Sequence, residues 1–160
     1  MKKIFLFTYL LLFHSLAFGD APSANETSEW IVKYSSDHLK EGFYNDMKMF
    51  ETNKITHGDN DCTIFHSESF FDKNDLDRSF DMHFQLDFER AITKMIMDPY
   101  SYSINLYGNV PFIVDKGGRK TNVDRDFHIV KFRSKESTER YFKAFRNLHN
   151  ICEKIKKDLF

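Results

Sequence analysis

Residues 134–157 constrain the fold more than any other stretch. Their apolar side chains Tyr141, Phe145, Leu148, Cys152 and Ile155 recur in steps of four, three, four and three, which traces one face of an α-helix. Phe142, Ala144 and Ile151 widen that face. On the other side Glu136, Glu139 and Glu153 stand four residues before Arg140, Lys143 and Lys157, the favourable order for ion pairs along a helix. Ser134 is placed as N-cap, and Ser137 in place of Glu or Gln leaves the capping box incomplete. Lys154, Lys156 and Lys157 suit the negative end of the helix dipole. Such a helix is on the order of 35 Å long, and its stripe demands an apolar surface to lie on.

The start of the chain has another character. Lys2 and Lys3 precede an apolar run from Ile4 to Phe13, and Ala17, Phe18 and Gly19 form a small–x–small end. That is the form of a secretory signal peptide, with cleavage expected after Gly19. A retained membrane anchor is the rival, but the run is short for a span, and His14 and Ser15 interrupt it. Residues 1–19 are therefore assigned to a leader, 20–26 to a flexible lead-in and 27–160 to a single globular α+β domain. Export implies a periplasmic or secreted protein, with no stable membrane insertion after cleavage. The 23 basic and 24 acidic side chains leave a formal net charge of −1, without the basic excess that nucleic acid demands. Fourteen of the 18 phenylalanines follow the expected leader and supply the aromatic area for a core.

Between leader and final helix, a first helix is expected from Thr27 or Ser28. Trp30, Ile31, Tyr34 and His38 or Leu39 share one of its faces, and Gly42 is its C-cap. Residues 43–55 fit strand or irregular chain. Turn chemistry at 57–61 leads into a strand over 62–71, with Cys62, Ile64 and His66 on one face and Thr63, Phe65 and Ser67 on the other. After a turn at 72–75, Phe80, Met82, Phe84, Leu86 and Phe88 alternate with Asp81, His83, Gln85 and Asp87, the mark of a strand with one wet face. Further strands are expected at 91–97, around Tyr102, Ile104 and Leu106, at Val110, Phe112 and Val114, and at 127–132. Gly108 and Asn109 read as a tight turn, Pro111 as an edge position, and 116–121 as a glycine-bearing loop. The sum is an N-terminal helix and a curved antiparallel sheet or open barrel of about six strands, capped by the long C-terminal helix.

That succession, together with the helix Glu139-Arg140-Tyr141-Phe142-Lys143-Ala144-Phe145-Arg146-Asn147-Leu148, resembles the pleckstrin-homology-like fold and small secreted bacterial proteins of that architecture. The resemblance covers roughly residues 62–155 and implies a curved barrel plugged by its last helix. It does not carry phosphoinositide binding, because the loop that would need to be basic reads Asp72-Lys73-Asn74-Asp75-Leu76-Asp77.

Reactive motifs are few. The zinc-protease His-Glu-x-x-His, the phosphate-binding loop, the Gly-x-Ser-x-Gly elbow and Cys-x-x-Cys are all absent from the sequence. His66, His83 and His128 fall on expected strands and could converge, but a strand histidine is more often solvated or hydrogen-bonded than a ligand. No metal, cofactor or catalytic residue is therefore assigned. Acidic residues at 59–61 and 72–77 fit turns better than calcium, because Leu76 stands where an oxygen ligand is needed. Cys62 and Cys152 form a disulfide or remain buried thiols, the catalytic thiol being the third reading. Lys116, Arg119 and Lys120 form the one locally basic tip. Gly117 and Gly118 there could present amides as an anion nest, or simply close a hairpin.

The expected function is that of an exported, non-catalytic binding or accessory domain for a protein or peptide partner. The alternatives are an exported inhibitor or immunity-type protein, or a small hydrolase using His66, His83 and nearby acids.

Overall fold

The computed structural model describes residues 21–44, 49–72 and 74–158. The expected leader with its cleavage site, Met47 and Lys73 lie outside them. Helix α1 (Ala24–His38) leads through β1 (Gly42–Tyr44), β2 (Met49–His57), β3 (Thr63–Phe71), β4 (Phe80–Asp87), β5 (Ile92–Asp98), β6 (Ser103–Lys116) and β7 (Arg119–Lys131) to helix α2 (Lys135–Asp158). All neighbouring strands pair antiparallel, along the path β1-β2-β3-β4-β6-β5 with β7 on the other edge of β6. The sheet curls into a half-barrel, and the two helices pack against each other. Among the described residues no helix is long and apolar enough to cross a membrane.

The final helix is seated as its period demands. Tyr141, Phe145, Leu148 and Cys152 are fully buried, with Phe142, Ala144 and Ile151 packed around them. Ile155, expected on the same stripe, is 44% exposed; it belongs to a last turn whose neighbours on the chain are also exposed. Ser134 Oγ accepts from the Ser137 amide at 3.2 Å, so it caps the helix without a reciprocal acid. Two of the three expected ion pairs form, Glu136–Arg140 and Glu153–Lys157. Glu139 instead lies 3.9 Å from Lys135.

Helix α1 starts at Ala24, inside the stretch expected to be flexible. The cause is a complete capping box: Ser23 Oγ accepts from the Glu26 amide, and the Glu26 carboxylate accepts from the Ser23 amide. Its buried stripe is Ala24, Thr27, Ser28, Ile31 and Ser35, while Trp30 and Tyr34 sit at the border. Small side chains let the helix come close to α2: Asn147 Nδ2 donates to Thr27 Oγ1, and the Tyr141 hydroxyl to the Ile31 carbonyl. The C-cap is Leu39, which bridges to Phe132; Gly42 opens β1 instead of closing the helix.

The expected turn at Gly108 and Asn109 is a register shift inside one 14-residue strand, β6. Strand β4 pairs with one end of β6 (Phe84 opposite Phe112), and β5 with the other (Ile92 opposite Gly108). Pro111, which has no N–H for a ladder, falls in the interval between them. At the β4–β5 corner the chain passes so near that a Cβ on Gly108 would lie 1.8 Å from the Ala91 carbonyl oxygen, and the residue's φ is +136°. Gly108→Ala is expected to cost about 2–3 kcal/mol, from a backbone that L residues avoid and from displacement of the corner. Urea denaturation of the variant checks this, and a change under about 0.5 kcal/mol would refute the close approach.

Candidate functional site: a buried His–Glu–His cluster

Along β3 the inward residues are Ile64, His66, Glu68 and Phe70, at the strand period of two. Along β7 they include His128 and Val130. The curl of the sheet brings these strands together, although β4 and β6 separate them in pairing order. His66 Nδ1 then lies 2.7 Å from His128 Nε2, with both residues buried. Glu68 Oε1 is 3.9 Å from His66 Nδ1, and the Glu68 side chain is only 13% exposed.

Aromatic packing sets the ring positions. His128 stacks on Phe84 at 3.9 Å between centroids, Phe84 on Phe112 at 4.9 Å, and the Arg125 guanidinium sits over the Phe112 ring at 4.6 Å. A second carboxylate, Glu51, is buried beside them; it accepts from Asn53 Nδ2 at 3.0 Å and lies 4.0 Å from Lys131 Nζ.

Burial dominates the electrostatics. It pushes His66 down to about 3, helped by Lys131, and takes His128 well below the usual imidazole value, helped by His66, Arg125 and Lys131. Both rings are therefore neutral at physiological pH, and a single proton lies between the facing nitrogens. Glu68 is raised to about 7, first by burial and then by the Glu51 carboxylate, against the pull of Lys131 and Arg125. The His66–Glu68 approach is thus not an ion pair. His66 Nε2 is buried with no hydrogen-bond partner, a rare condition for a polar atom in a folded core.

Of the three strand histidines, the fold unites two and excludes the third. His83 is exposed on the other face of β4, where its Nδ1 lies 2.9 Å from Ser67 Oγ. The hydrolase pairing of His66 with His83 therefore does not form. Glu68 and Glu51 were not among the residues singled out from the sequence. Glu68 was accessible to the period-two rule, being two residues from His66. Glu51 lay in the stretch whose class was open.

The other candidates are accounted for locally. Lys116, Arg119 and Lys120 are exposed at the tip of the β6–β7 hairpin, closed by Gly117 and Gly118 at φ +58° and +80°. The Gly118 amide donates to Asp115 Oδ1 at 3.1 Å, so the turn itself uses one amide of the suggested nest. Asp72 accepts from the Asn74 amide and pairs with Arg78, and Asp75 accepts from the Asp77 amide; these acids order their turn. Cys62 and Cys152 lie at disulfide distance, Cα atoms 5.8 Å apart, as the bridged reading requires. Four residues along β3, about 13 Å at the strand rise, separate Cys62 from His66.

Comparison of the chain with protein-family models, with curated proteins and with solved structures finds no match in any of the three.

Proposed function

We propose that this chain is an exported domain that binds a protein partner, taking an extended acidic segment along the free edge of β7. One observation carries the reading: residues 119–127 are all exposed on a strand whose ladder partner is β6 alone. Such an edge offers unpaired backbone donors and acceptors to a second strand. Further along, that edge is already covered, because Lys40 and Leu39 meet Lys131 and Phe132 there. The occupant follows from charge. Lys116, Arg119 and Lys120 cluster at the tip, ahead of Asp124 and Asp126 further along the strand, and none of the three has an ion pair among the described residues. Separation of His66 from His83 removes the hydrolase pairing and favours binding over catalysis. A cysteine pair at disulfide distance is compatible with an extracellular location.

The test has two arms. Affinity capture from the native exported fraction should retain a protein on the wild-type chain, and Arg119→Glu with Lys120→Glu should weaken its binding at least about tenfold. Titrated into isotope-labelled chain, that protein should shift and protect the amides of residues 119–127. Shifts clustered elsewhere, equal binding by the charge-reversed variant, or no retained protein would each overturn the reading.

A further inference from the structure

We propose that His66 Nδ1, His128 Nε2 and a Glu68 carboxylate oxygen form a binding site for one divalent first-row transition metal ion. The three residues offer ligand atoms that all lie within 4.8 Å of one another. Around an ion with ligands at about 2.0–2.1 Å, tetrahedral neighbours are about 3.3–3.4 Å apart. The His66–His128 contact of 2.7 Å and the His66–Glu68 contact of 3.9 Å bracket that spacing. Opening the first by about 0.6 Å, closing the second by about 0.5 Å and closing the third pair, which lies within 4.8 Å, by up to about 1.5 Å brings the three atoms to that spacing.

The donor set selects the ion. Two imidazole nitrogens and one carboxylate oxygen suit zinc and its first-row neighbours, whereas calcium and magnesium favour oxygen alone. Three protein ligands also leave a position for water or for a group from outside. A metal takes neutral imidazole and ionised carboxylate. For both facing nitrogens to ligate, the ring that now donates must carry its proton on its other nitrogen, and a protonated Glu68 must release its own to solvent. Glu51 supplies a second negative charge beside the site, against the positive charges of Lys131 and Arg125.

The packing is also that of a prepared site. Phe84 holds the His128 ring by stacking on one face, and Phe112 supports Phe84 from behind. Two imidazoles and two carboxylates drawn onto the inner side of a half-barrel are costly to bury for packing alone. His128 belongs to β7 too, but it is buried where residues 119–127 are exposed, so metal at its ring and a partner on the strand edge are read by different signals.

The experiment uses the exported chain without an affinity tag and with its cysteines oxidised, titrated with Zn²⁺ and, for its visible spectrum, Co²⁺. One ion per chain should bind, and Co²⁺ should show the intense absorption of a four- or five-coordinate site. Glu68→Gln should bind at least about tenfold more weakly, whereas His83→Gln, at an exposed histidine of the opposite face, should bind as the wild type does. Imidazole ¹⁵N spectra of the wild-type chain supply a readout that needs no variant: Zn²⁺ should move His66 Nδ1 and His128 Nε2 and leave His83 in place. Absence of stoichiometric binding, undiminished affinity in Glu68→Gln, or shifts confined to the exposed histidines would each overturn the site.

Discussion

Phe145→Ala will lower the unfolding free energy by about 3–5 kcal/mol, the range for emptying a buried phenylalanine site. Against a total of about 5–15 kcal/mol for a domain of ordinary stability, that leaves the fold marginal. Phe145 is fully buried, its ring 5.5 Å from that of Phe88 and 6.1 Å from that of Tyr141. It thus joins α2 to the β4 end of the sheet. The informative control is Ile155→Ala, on the same stripe by sequence yet 44% exposed, where the change should stay within about 0.5 kcal/mol. Equilibrium urea unfolding of both variants measures the contrast. Similar losses at the two positions, or less than about 1 kcal/mol at Phe145, would mean that α2 does not sit on the sheet as described.

How much of this was legible beforehand depended on how local the signal was. The stripe of α2 and the alternation of β4 are contained within their own residues, and both appear where their periods place them. Strand β7 was read only from Phe127, although it begins at Arg119. Residues 119–127 are exposed, so no buried face imprints an alternation on them. Gly108 and Asn109 look like a turn to any local rule. What needs glycine there is the passage of Ala91, far along the chain, and only the tertiary structure reveals it. In α1 the aromatic residues drew the sequence reading toward Trp30 and Tyr34, whereas close approach of two helices selects small side chains for the interface.

The site shows the same division. The strand parity that excludes His83 was already visible, because it alternates with Phe84 and Leu86 on the wet face of β4. Glu68 shares its parity with His66 and was equally readable. The meeting of His66 and His128 was not, since it depends on how far the sheet curls between β3 and β7, and no pairing between those strands records it. A polar residue on an inward face is therefore the signal to follow in a strand-rich chain. It costs free energy wherever it is buried, and the fold must satisfy it or use it.

Loss of the Cys62–Cys152 link will destabilise the chain by about 4–5 kcal/mol on the loop-entropy model. Two features set the size of the effect. The cysteines are 90 residues apart in sequence, so the bond removes much of the unfolded chain's freedom. It also fixes the approach to β3 against the far part of α2, where Ile155 and its neighbours no longer pack. Both cysteines are buried, so replacement by alanine in the pair Cys62→Ala and Cys152→Ala leaves two small apolar side chains and no stranded thiol. Chain entropy and native packing are separable in one experiment. If the link acts through the unfolded state, the unlinked chain will expose more surface when it unfolds, and the slope of unfolding free energy against urea will rise while the midpoint falls. If it acts through native contacts, the midpoint falls at constant slope. Urea titrations of the oxidised chain, of the same chain under reductant and of the alanine pair decide between them. Coincident curves for all three would show that packing of α2 alone holds this end of the half-barrel.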